Sequence, residues 1–485
     1  MHRLTPASGV VLIFSAWVWP DDAAELRQSA QTALARATRY LHEKVSVRGT
    51  YLWRYSGDLI QRFGERRATP TQGWIQPPGT PSVALALLRA YEATQDRIHL
   101  EAALASAHAL VDTQLASGGW DYLVDFHPRE HGRWFYRKDV EAGERDPGPR
   151  RNSSTYDDDT TQSALRFLME IDRTLKHKEE RIHRAVQYGL AKLLEAQYGS
   201  GAWPQRYSGR LPAVANPQAR ARCPSDWPRT HPGQGYDYTV FYTLNDRVLE
   251  TIVSTLLRAH EVYDQRDYLQ AAVRAGEFLI RAQLPAPQPA WAQQYNFDME
   301  PAWARTFEPP AVSSAESASA IRTLLRLYLV TGDERFFRPI PPAIDWLRRS
   351  RLANGRWSRF YELQTNRPLY CNKRYELVYT EDDLPTHYSF QGEYGIPALM
   401  KEVEHLQRVG RQRFLDQSKR PITRQALRSR LDQLEPKVRT ILQTQDPEGR
   451  WLNNSEIRTA TFIRNMETLA EYLETYAVWK DSEQY

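Results

Sequence analysis

The feature that most constrains the fold of this chain is a helical hairpin that recurs along its length. Residues 90–103 read AYEATQDRIHLEAA, residues 259–272 read AHEVYDQRDYLQAA, and residues 327–337, LYLVTGDERFF, repeat the same turn. Each segment holds the end of one amphipathic helix, a short polar turn and the start of the next helix. An apolar period of 3.6 residues extends the pattern over most of the chain.

This periodicity predicts twelve helices that pair into six hairpins. We expect them near residues 22–44, 82–94, 97–116, 159–175, 179–197, 246–263, 267–283, 314–331, 334–351, 391–409, 424–445 and 456–478. Such hairpins cannot bury an apolar face alone, so they must stack or close on themselves. We therefore predict an all-α fold, an α/α toroid with an inner ring of helices inside an outer one. An open α-solenoid is the alternative.

The connections that follow the second helix of each hairpin share a motif and are long. A turn with glycine or proline leads to a tryptophan in most of them, at Trp120, Trp203, Trp291, Trp357 and Trp451. The long connections cover residues 45–81, 117–158, 198–245, 284–313 and 352–390. In an alternating ring they all emerge at one end, and long loops in a compact domain are usually functional. We expect the functional site at that end.

Charge and composition narrow the class of partner. The net charge is +5, and the arginines are scattered among 14 tryptophans and 26 tyrosines without a Lys/Arg-rich run. This pattern argues against nucleic acid and favours an acidic small molecule or a polyanion. We expect the protein to be a monomer.

The N-terminal segment predicts export. His2 and Arg3 precede an apolar run over residues 10–19, which has the length of a signal-peptide core and is too short to span a membrane. We expect a signal peptide at residues 1–20, a single domain over residues 21–485, no stable membrane insertion, and a secreted or periplasmic protein. A buried N-terminal segment is the alternative. Cys223 and Cys371 are compatible with one disulfide after export.

Two segments place Trp, Arg and Glu at the same spacing. One reads W-A-R-T-F-E from Trp303, and the other reads W-S-R-F-Y-E from Trp357. Aromatic faces stack on the C–H surface of a sugar, and a guanidinium binds a carboxylate bidentately. The repeated pattern therefore predicts that Arg305 and Arg359 bind a sugar acid beside Trp291 and Trp303. The alternative is that the tryptophans are core residues and each arginine pairs with its own glutamate.

Acidic residues gather where two long loops enter predicted inner helices. Asp157, Asp158 and Asp159 precede one helix, and Asn245 and Asp246 precede another. One acid at a helix start is explained by N-capping, but three in a row repel one another unless a cation neutralises them. Carboxylates converging with Asn245 and water predict a hard-cation site, for Ca²⁺ before Mg²⁺. Histidine and cysteine are too scattered for zinc, and no glycine-rich phosphate loop is present.

The order of several motifs resembles the pectic acid lyase family, the pectate lyases built on an α/α toroid. The motifs are DDDTTQSALRFLM, GAWPQRY, TLND, PAWAQQYN, PAWARTFEPPAVSSAES and RWSRFYELQTNRPLYCN, and they cover roughly residues 150–390. The resemblance implies cleavage of polygalacturonate by β-elimination, with Ca²⁺ bridging the protein and a substrate carboxylate.

The resemblance also implies roles for individual residues. Asp157 and Asp246 match calcium-binding acids, with Asp158 beside the first, and Arg305 and Arg359 match substrate-binding arginines. The family's base is an arginine in a C-N-R-D-like stretch. The corresponding stretch here runs from Cys371 to Arg374, so the base position holds Lys373, with Arg374 next to it. We also expect substrate contacts from Arg367, Asn245, Trp291 and Trp303.

This sequence departs from the family pattern at two other places. A family arginine near a T-G-Y segment has no counterpart at Thr386–Tyr388, and an expected Q-H-D is Gln294–Asn296 here.

Two other functions stay open. A glycoside hydrolase on the same toroid needs two carboxylates, for which Glu308, Glu316 and Glu362 are candidates. A non-catalytic protein that binds acidic polysaccharides needs the groove alone.

Overall fold

Fifteen α-helices form the part of the chain that the computed structural model describes, residues 20–419 and 421–482. They are α1 Pro20–Tyr40, α2 Thr80–Thr94, α3 Arg97–Asp112, α4 Pro128–His131, α5 Arg137–Glu141, α6 Thr160–Thr174, α7 Glu180–Glu195, α8 Val248–Tyr263, α9 Arg266–Ala282, α10 Ser314–Thr331, α11 Ile340–Arg349, α12 Ile396–Val409, α13 Arg411–Lys419, α14 Arg424–Thr444 and α15 Thr459–Asp481. A π-helical turn, Leu41–Val45, extends α1.

The hairpins close into two concentric rings. Helices α2, α6, α8, α10, α12 and α15 form the inner ring, and α1, α3, α7, α9, α11 and α14 form the outer one. Inner neighbours pack in the order α15, α2, α6, α8, α10 and α12, while α1 packs against α3, α14 and α15. The contact of α15 with α2 joins the end of the chain to its beginning. The α/α toroid is thereby confirmed, and the open solenoid is excluded.

Short strands in the long connections join each connection to the next. The strands are β1 Arg54–Ser56, β2 Arg62–Phe63, β3 Gln72–Trp74, β4 Leu123–Asp125, β5 Ser154–Thr155, β6 Arg206–Tyr207, β7 Tyr242–Thr243, β8 Gln294–Tyr295, β9 Val312–Ser313, β10 Trp357–Ser358, β11 Phe360–Tyr361, β12 Pro368–Cys371, β13 Leu377–Val378, β14 Gln391–Gly392, β15 Leu452–Asn453 and β16 Glu456–Arg458. Successive connections pair as β3 with β4, β5 with β6, β7 with β8, and β9 with β11, all antiparallel. Strand β16 pairs with β1 and links the last connection to the first. The long loops therefore lie side by side at one end of the toroid.

The repeated tryptophan has the same structural task in each hairpin. Its indole Nε1 donates a hydrogen bond to a carbonyl near the C-terminus of the preceding outer helix. The five pairs are Trp120 with Leu110, Trp203 with Leu193, Trp291 with Leu279, Trp357 with Leu347, and Trp451 with Ile441, at 2.7–3.0 Å. Each bond adds an indole donor to a carbonyl in the last turn of an outer helix, where few intrahelical donors remain. The motif thus fixes the direction in which each long loop leaves its helix.

The helix boundaries differ from the sequence prediction where prolines occur. The helix expected at 334–351 divides into a 3₁₀ turn, Glu334–Phe336, and α11, because Pro339, Pro341 and Pro342 remove backbone donors between and within them. The helix expected at 391–409 begins only at Ile396, after Gly395 with a φ of +71°. Helices α4, α5 and α13 were not predicted, because they are short and weakly periodic.

Other sequence expectations have mixed outcomes. Cys223 and Cys371 are both free thiols, so the disulfide does not form. Among the described helices, none is sufficiently long and apolar to span a bilayer. A contiguous apolar core extends from Leu26 to Leu473. The single domain predicted for residues 21–485 stays a prediction. The signal peptide at residues 1–20 lies almost entirely outside the described residues and stays a prediction.

Candidate active site

Three carboxylates converge where the loops before α6 and α8 enter the inner ring. Oxygen atoms of Asp157, Asp158 and Asp246 lie within 4.8 Å of one another. Asp157 is buried, and the other two are partly exposed. Asn245, next to Asp246, is 2% exposed. The side-chain oxygens Oδ1 of Asp157 and of Asn245 are buried without a hydrogen-bond partner. The structure thus brings the three predicted carboxylates together, and their role as cation ligands, with Asn245, stays a prediction.

The same backbone turn presents the acids from both loops. A 3₁₀ turn precedes each helix, over Asp157–Asp159 and over Asn245–Arg247. In each turn two consecutive non-glycine residues adopt left-handed φ angles. The values are 49° and 61° at Asp158 and Asp159, and 45° and 64° at Asp246 and Arg247. Such conformations cost free energy and concentrate at functional sites. No side-chain capping bond forms at either helix start, so N-capping does not explain these acids.

Neighbouring loops hold two of the carboxylates in place. The hydroxyl of Tyr122 donates to Oδ2 of Asp157 at 2.7 Å, and the amide of Gln76 donates to Oδ2 of Asp158 at 2.8 Å. Burial and the charge of Asp246 raise the pKa of Asp157 to about 6. Burial and the charges of Asp157 and Asp246 raise the pKa of Asp158 to about 7. The cluster therefore resists carrying three negative charges unless a cation compensates them.

Arg305 lies on one side of this acidic cluster. It forms a bidentate ion pair with the buried Glu308, at 2.8 Å from Nε and 2.5 Å from Nη2. Its Nη2 is 3.9 Å from Oδ2 of Asp246. Although burial opposes the charged form, the pairing with Glu308 holds the pKa of Arg305 above its ordinary value. The side chain is 43% exposed, so the guanidinium is both fixed in position and open to the cleft.

Arg359 approaches the same aspartate from the other side. Its Nη2 lies 3.5 Å from Oδ1 of Asp246 and 3.2 Å from Oε1 of the buried Glu316. Burial opposes its charge, but Glu316 raises the pKa of Arg359 above its ordinary value. Both arginines therefore face Asp246, and their binding of substrate carboxylates stays a prediction. A cavity of about 550 Å³ opens beside them, and its lining includes Asp158, Asp246, Glu316, Arg359 and Tyr394.

Trp291, Trp303 and Arg367 do not belong to this cleft. Trp291 is 0% exposed and Trp303 is 2% exposed, because their rings pack in the interior. A buried ring has no free face for a sugar, so the prediction that these tryptophans stack on substrate is wrong. Arg367 is exposed and lies over the ring of Tyr379, 3.6 Å from its centroid. It belongs to a separate surface cluster.

Lys373 and Arg374 are each paired with a carboxylate of their own loop. Lys373 is 62% exposed and its Nζ pairs with Oδ1 of Asp383 at 2.9 Å. Arg374 is 77% exposed and pairs with Glu376 at 3.0 Å. Neither ion pair involves the cluster of Asp157, Asp158 and Asp246. The prediction that Lys373 is the catalytic base, with Arg374 as the second candidate, stays a prediction.

Comparison with known proteins identifies the family. The family model of the pectic acid lyases matches residues 135–398, more than half of the chain. The chain belongs to the pectic acid lyase family. It is therefore a polysaccharide lyase. A comparison with curated protein sequences found no match.

Solved structures with a similar fold share little sequence with this pectic acid lyase. One is a mutant form of a family 10 polysaccharide lyase from Cellvibrio cellulosa in complex with trigalacturonic acid. It is 19% identical, with a TM-score of 0.46, covering 67% of this chain and 98% of that one. Another is cellobiose 2-epimerase from Spirochaeta thermophila, which is 13% identical, with a TM-score of 0.46, covering 94% of this chain and 98% of the other.

Three residues of this pectic acid lyase's cleft were missed by sequence analysis. Gln76 and Tyr122 lie before the region that the family model matches, and neither residue belongs to one of the recurring sequence motifs. Tyr388 lies between the two arginines, 4.9 Å from the guanidinium of Arg359 and 5.7 Å from that of Arg305. Its hydroxyl donates to Oε1 of Glu308 at 3.1 Å. The sequence signal for Tyr388 was its position in the segment Thr386–Tyr388, which corresponds to the T-G-Y segment of the family.

Proposed function

We propose that the protein is a secreted polysaccharide lyase that cleaves a uronate-containing, pectate-like polymer by calcium-assisted β-elimination. The observation that carries the proposal is the convergence of three carboxylates and two arginines at one cleft. Family membership supports the reaction class. The predicted signal peptide supports secretion, and we further propose that the enzyme acts as a monomer.

The residues at the cleft fit a hard divalent cation. Hard cations take oxygen ligands from carboxylates, amide carbonyls and water. Asp157 and Asn245 each supply a buried oxygen without a hydrogen-bond partner, and Asp158 and Asp246 add carboxylates from the same cluster. Zinc and copper prefer imidazole or thiolate ligands, and the cluster has neither, whereas its carboxylate oxygens suit hard cations. We therefore propose Ca²⁺ as the cofactor, held by Asp157, Asp158 and Asp246.

The charges at the cleft also require compensation before a polyanion binds. Five carboxylates lie in or next to the cleft, those of Asp157, Asp158, Asp246, Glu308 and Glu316, and the two guanidiniums of Arg305 and Arg359 face them. Arg247 and Arg322 line the same cavity and pair with Glu250, so the fully ionised cleft has six carboxylates against four guanidiniums. When bound, Ca²⁺ would supply the missing positive charge and withdraw electron density from a substrate carboxylate.

The arginines support the elimination step. Removal of the proton from C5 of a uronate places negative charge on the adjacent carboxylate oxygens, and an ionised carboxylate resists that charge. Guanidiniums held in position before the reaction stabilise it without reorganisation. Arg359 is 13% exposed and is fixed by Glu316, whereas Arg305 is fixed by Glu308. We propose that both bind substrate carboxylates and that Asn245 contributes a further contact, whereas Arg367 lies in the separate surface cluster.

The proton acceptor is the least constrained part of the mechanism. We retain Lys373 as the proposed base and Arg374 as the second candidate, because they occupy the base position of the family pattern. A lysine loses its proton more readily than an arginine, so its neutral form, which accepts a proton, is easier to reach. For this role Lys373 must leave Asp383 and turn toward the cleft, which is a specific demand on the loop that carries it.

The glycoside hydrolase alternative is not favoured by the structure. An acid and a base must both reach the scissile bond. Glu308 is held by Arg305, and Glu316 is held by Arg359 and the hydroxyl of Ser313. Glu362 is 5% exposed and pairs with Arg229, outside the cleft. None of the three sequence candidates is a free carboxyl.

Incubation with polygalacturonate and Ca²⁺ tests the proposed function. A lyase produces unsaturated ends that absorb ultraviolet light, and we expect this absorbance to rise with time and to stop after chelation. Reducing ends without the absorbance would establish a hydrolase. Binding of the polymer with neither product would establish a non-catalytic binding protein.

Replacement of Lys373 tests the proposed base. In Lys373→Ala we expect kcat to fall by about 10²–10⁴-fold, the usual contribution of general base catalysis, with polymer binding retained. Lys401→Ala, an exposed lysine on α12, is the matched control and should behave as wild type. Near-normal activity of Lys373→Ala, followed by loss of activity in Arg374→Ala, would transfer the role to Arg374.

A further inference from the structure

A second cluster of metal-ligating side chains lies at the opposite end of the toroid from the cleft. Asp172 is in the last turn of α6, His177 is in the turn that follows, and His183 is in α7. One ligand atom from each lies within 4.8 Å of the others. Helix α6 has 15 residues and begins at the acidic cluster, so the two clusters are separated by about 20 Å along its axis.

The buried aspartate has an uneven set of partners. Asp172 is 0% exposed, and its Oδ2 accepts hydrogen bonds from Nδ1 of His177 and Nδ1 of His183, each at 2.9 Å. The hydroxyl of Tyr263, from α8, donates to the same oxygen at 2.7 Å. The other oxygen, Oδ1, is buried without a partner. A buried carboxylate oxygen normally finds a partner, so a missing ligand at this position explains the arrangement.

The two imidazoles are arranged to share one ligand. Their ring planes are inclined at 67°, with centroids 5.7 Å apart, and both Nδ1 atoms face the same carboxylate. The side chains of His177 and His183 are 40% and 37% exposed, which gives a cation a path from solvent. Tetrahedral Zn²⁺ keeps imidazole nitrogen and carboxylate oxygen about 3.3 Å apart, given its bond lengths of about 2.0–2.1 Å. Only a small outward rotation of each ring is needed.

We propose that Asp172, His177 and His183 form a binding site for a transition-metal cation, with Zn²⁺ the best match. Two imidazoles and one carboxylate suit Zn²⁺, whereas Ca²⁺ and Mg²⁺ require more oxygen ligands. Each ring would carry its proton on Nε2 and offer Nδ1 to the metal. Tyr263 would keep its bond to Asp172 and orient the carboxylate. Water completes the tetrahedron.

This site differs from the calcium cleft in ligands, place and role. The sequence predicts no zinc site, because its 12 histidines are scattered, but the fold brings two of them onto one carboxylate. The metal would join the turn between α6 and α7 to the end of α8, which contributes Tyr263. Its effect is therefore on the stability of that end of the toroid, and it is independent of the proposed lyase activity.

Metal titration of the untagged full chain tests the site. After treatment with a chelator, we expect calorimetry to show one equivalent of Zn²⁺ bound at micromolar or lower Kd, and Co²⁺ to give the visible absorption of a tetrahedral complex. Zn²⁺ should raise Tm. His177→Ala and His183→Ala should each weaken binding by tenfold or more. His260→Ala, a partly exposed histidine on α8, is the matched control and should bind as wild type.

The calcium cleft provides an internal comparison. Asp246→Ala should leave Zn²⁺ binding unchanged, and excess Ca²⁺ should not displace Co²⁺. The proposal is overturned if wild type binds no stoichiometric Zn²⁺, or if binding persists undiminished in both His177→Ala and His183→Ala. In that case the cluster is a hydrogen-bonded support for Asp172.

Discussion

At the scale of single residues, Asp246 is the point on which the cleft depends. Its two oxygens face Arg305 and Arg359, and it lies within 4.8 Å of the carboxylate oxygens of Asp157 and Asp158. It therefore connects the proposed cation site with the proposed substrate site. The sequence motifs were sufficient to find these five residues, because each occupies a fixed place beside a helix start or a tryptophan.

Replacement of Asp246 should separate cation binding from folding. We expect Asp246→Ala to weaken Ca²⁺ binding by tenfold or more, because a carboxylate ligand is removed from a site that has few others. Calorimetric titration, with and without an oligouronate, provides the measurement. Asp298→Ala, an exposed acid on a neighbouring long loop, is the control. Unchanged Ca²⁺ affinity in Asp246→Ala would show that the three acids do not share a cation.

The raised pKa values of Asp157 and Asp158 predict a pH dependence. A carboxyl whose pKa is higher in the folded protein adds stability below its unfolded pKa and loses that contribution as pH rises through its folded pKa. With folded pKa values of about 6 and about 7, these groups should lower the stability of the calcium-free protein progressively as pH rises from about 4 to about 7. Ca²⁺ binds the ionised forms, so its stabilising effect should grow over the same range.

Thermal unfolding in Ca²⁺ and in chelator, at about pH 5 and about pH 8, measures this effect. We expect the increase in Tm caused by Ca²⁺ to be clearly larger at the higher pH. The double variant Asp157→Asn, Asp158→Asn should lose most of this difference. Equal increases at both pH values in wild type would contradict the assignment of the cation to these carboxylates.

At the scale of elements, local pattern predicted the helices well and the loops poorly. Helical periodicity and polar turns are properties of adjacent residues, so the six hairpins could be read from the sequence. The strands that join neighbouring loops pair residues far apart in the chain, as Gly73 does with Val124. For this reason Gln76 and Tyr122 were missed. Trp291 was assigned to substrate, although its indole binds the carbonyl of Leu279.

The glycine in the turn before most of these tryptophans has a testable structural role. Gly201 has a φ of +95°, and a methyl group there would lie 2.2 Å from the carbonyl oxygen of Arg274. Gly209 has a φ of +99° with no atom within 4 Å of such a methyl group. Both alanine variants incur the strain of the left-handed backbone, about 1 kcal/mol, but only Gly201→Ala adds a backbone clash.

Denaturant unfolding of the two variants separates these effects. We expect Gly209→Ala to lower the free energy of unfolding by about 1–2 kcal/mol and Gly201→Ala by about 3 kcal/mol or more. Equal losses would mean that the chain around Trp203 relaxes freely. The turn would then not fix the direction of the loop that follows it.

At the scale of the whole molecule, the catalytic residues depend on segments that the family model does not match. The matched region, residues 135–398, includes the acids and the arginines. The inner ring, however, closes through α2 and α15, and the outer ring closes through α1. Gln76, which holds Asp158, also lies outside the match. The sequence pattern predicted a closed ring but left an open solenoid as the alternative, because no local signal shows that α15 meets α2.

This dependence predicts that the fragment 135–398 does not fold alone. Without α2 and α15, the apolar faces of α6 and its neighbours would be exposed to water, which costs about 25 cal/mol for each Å² of apolar surface. We expect the isolated fragment to aggregate or to lack a cooperative thermal transition, whereas the full chain should unfold in one calorimetric transition. Circular dichroism and calorimetry compare the two directly. A soluble fragment with native helicity and wild-type Ca²⁺ affinity would show that the cleft is independent of ring closure, and that the residues before 135 and after 398 serve another purpose.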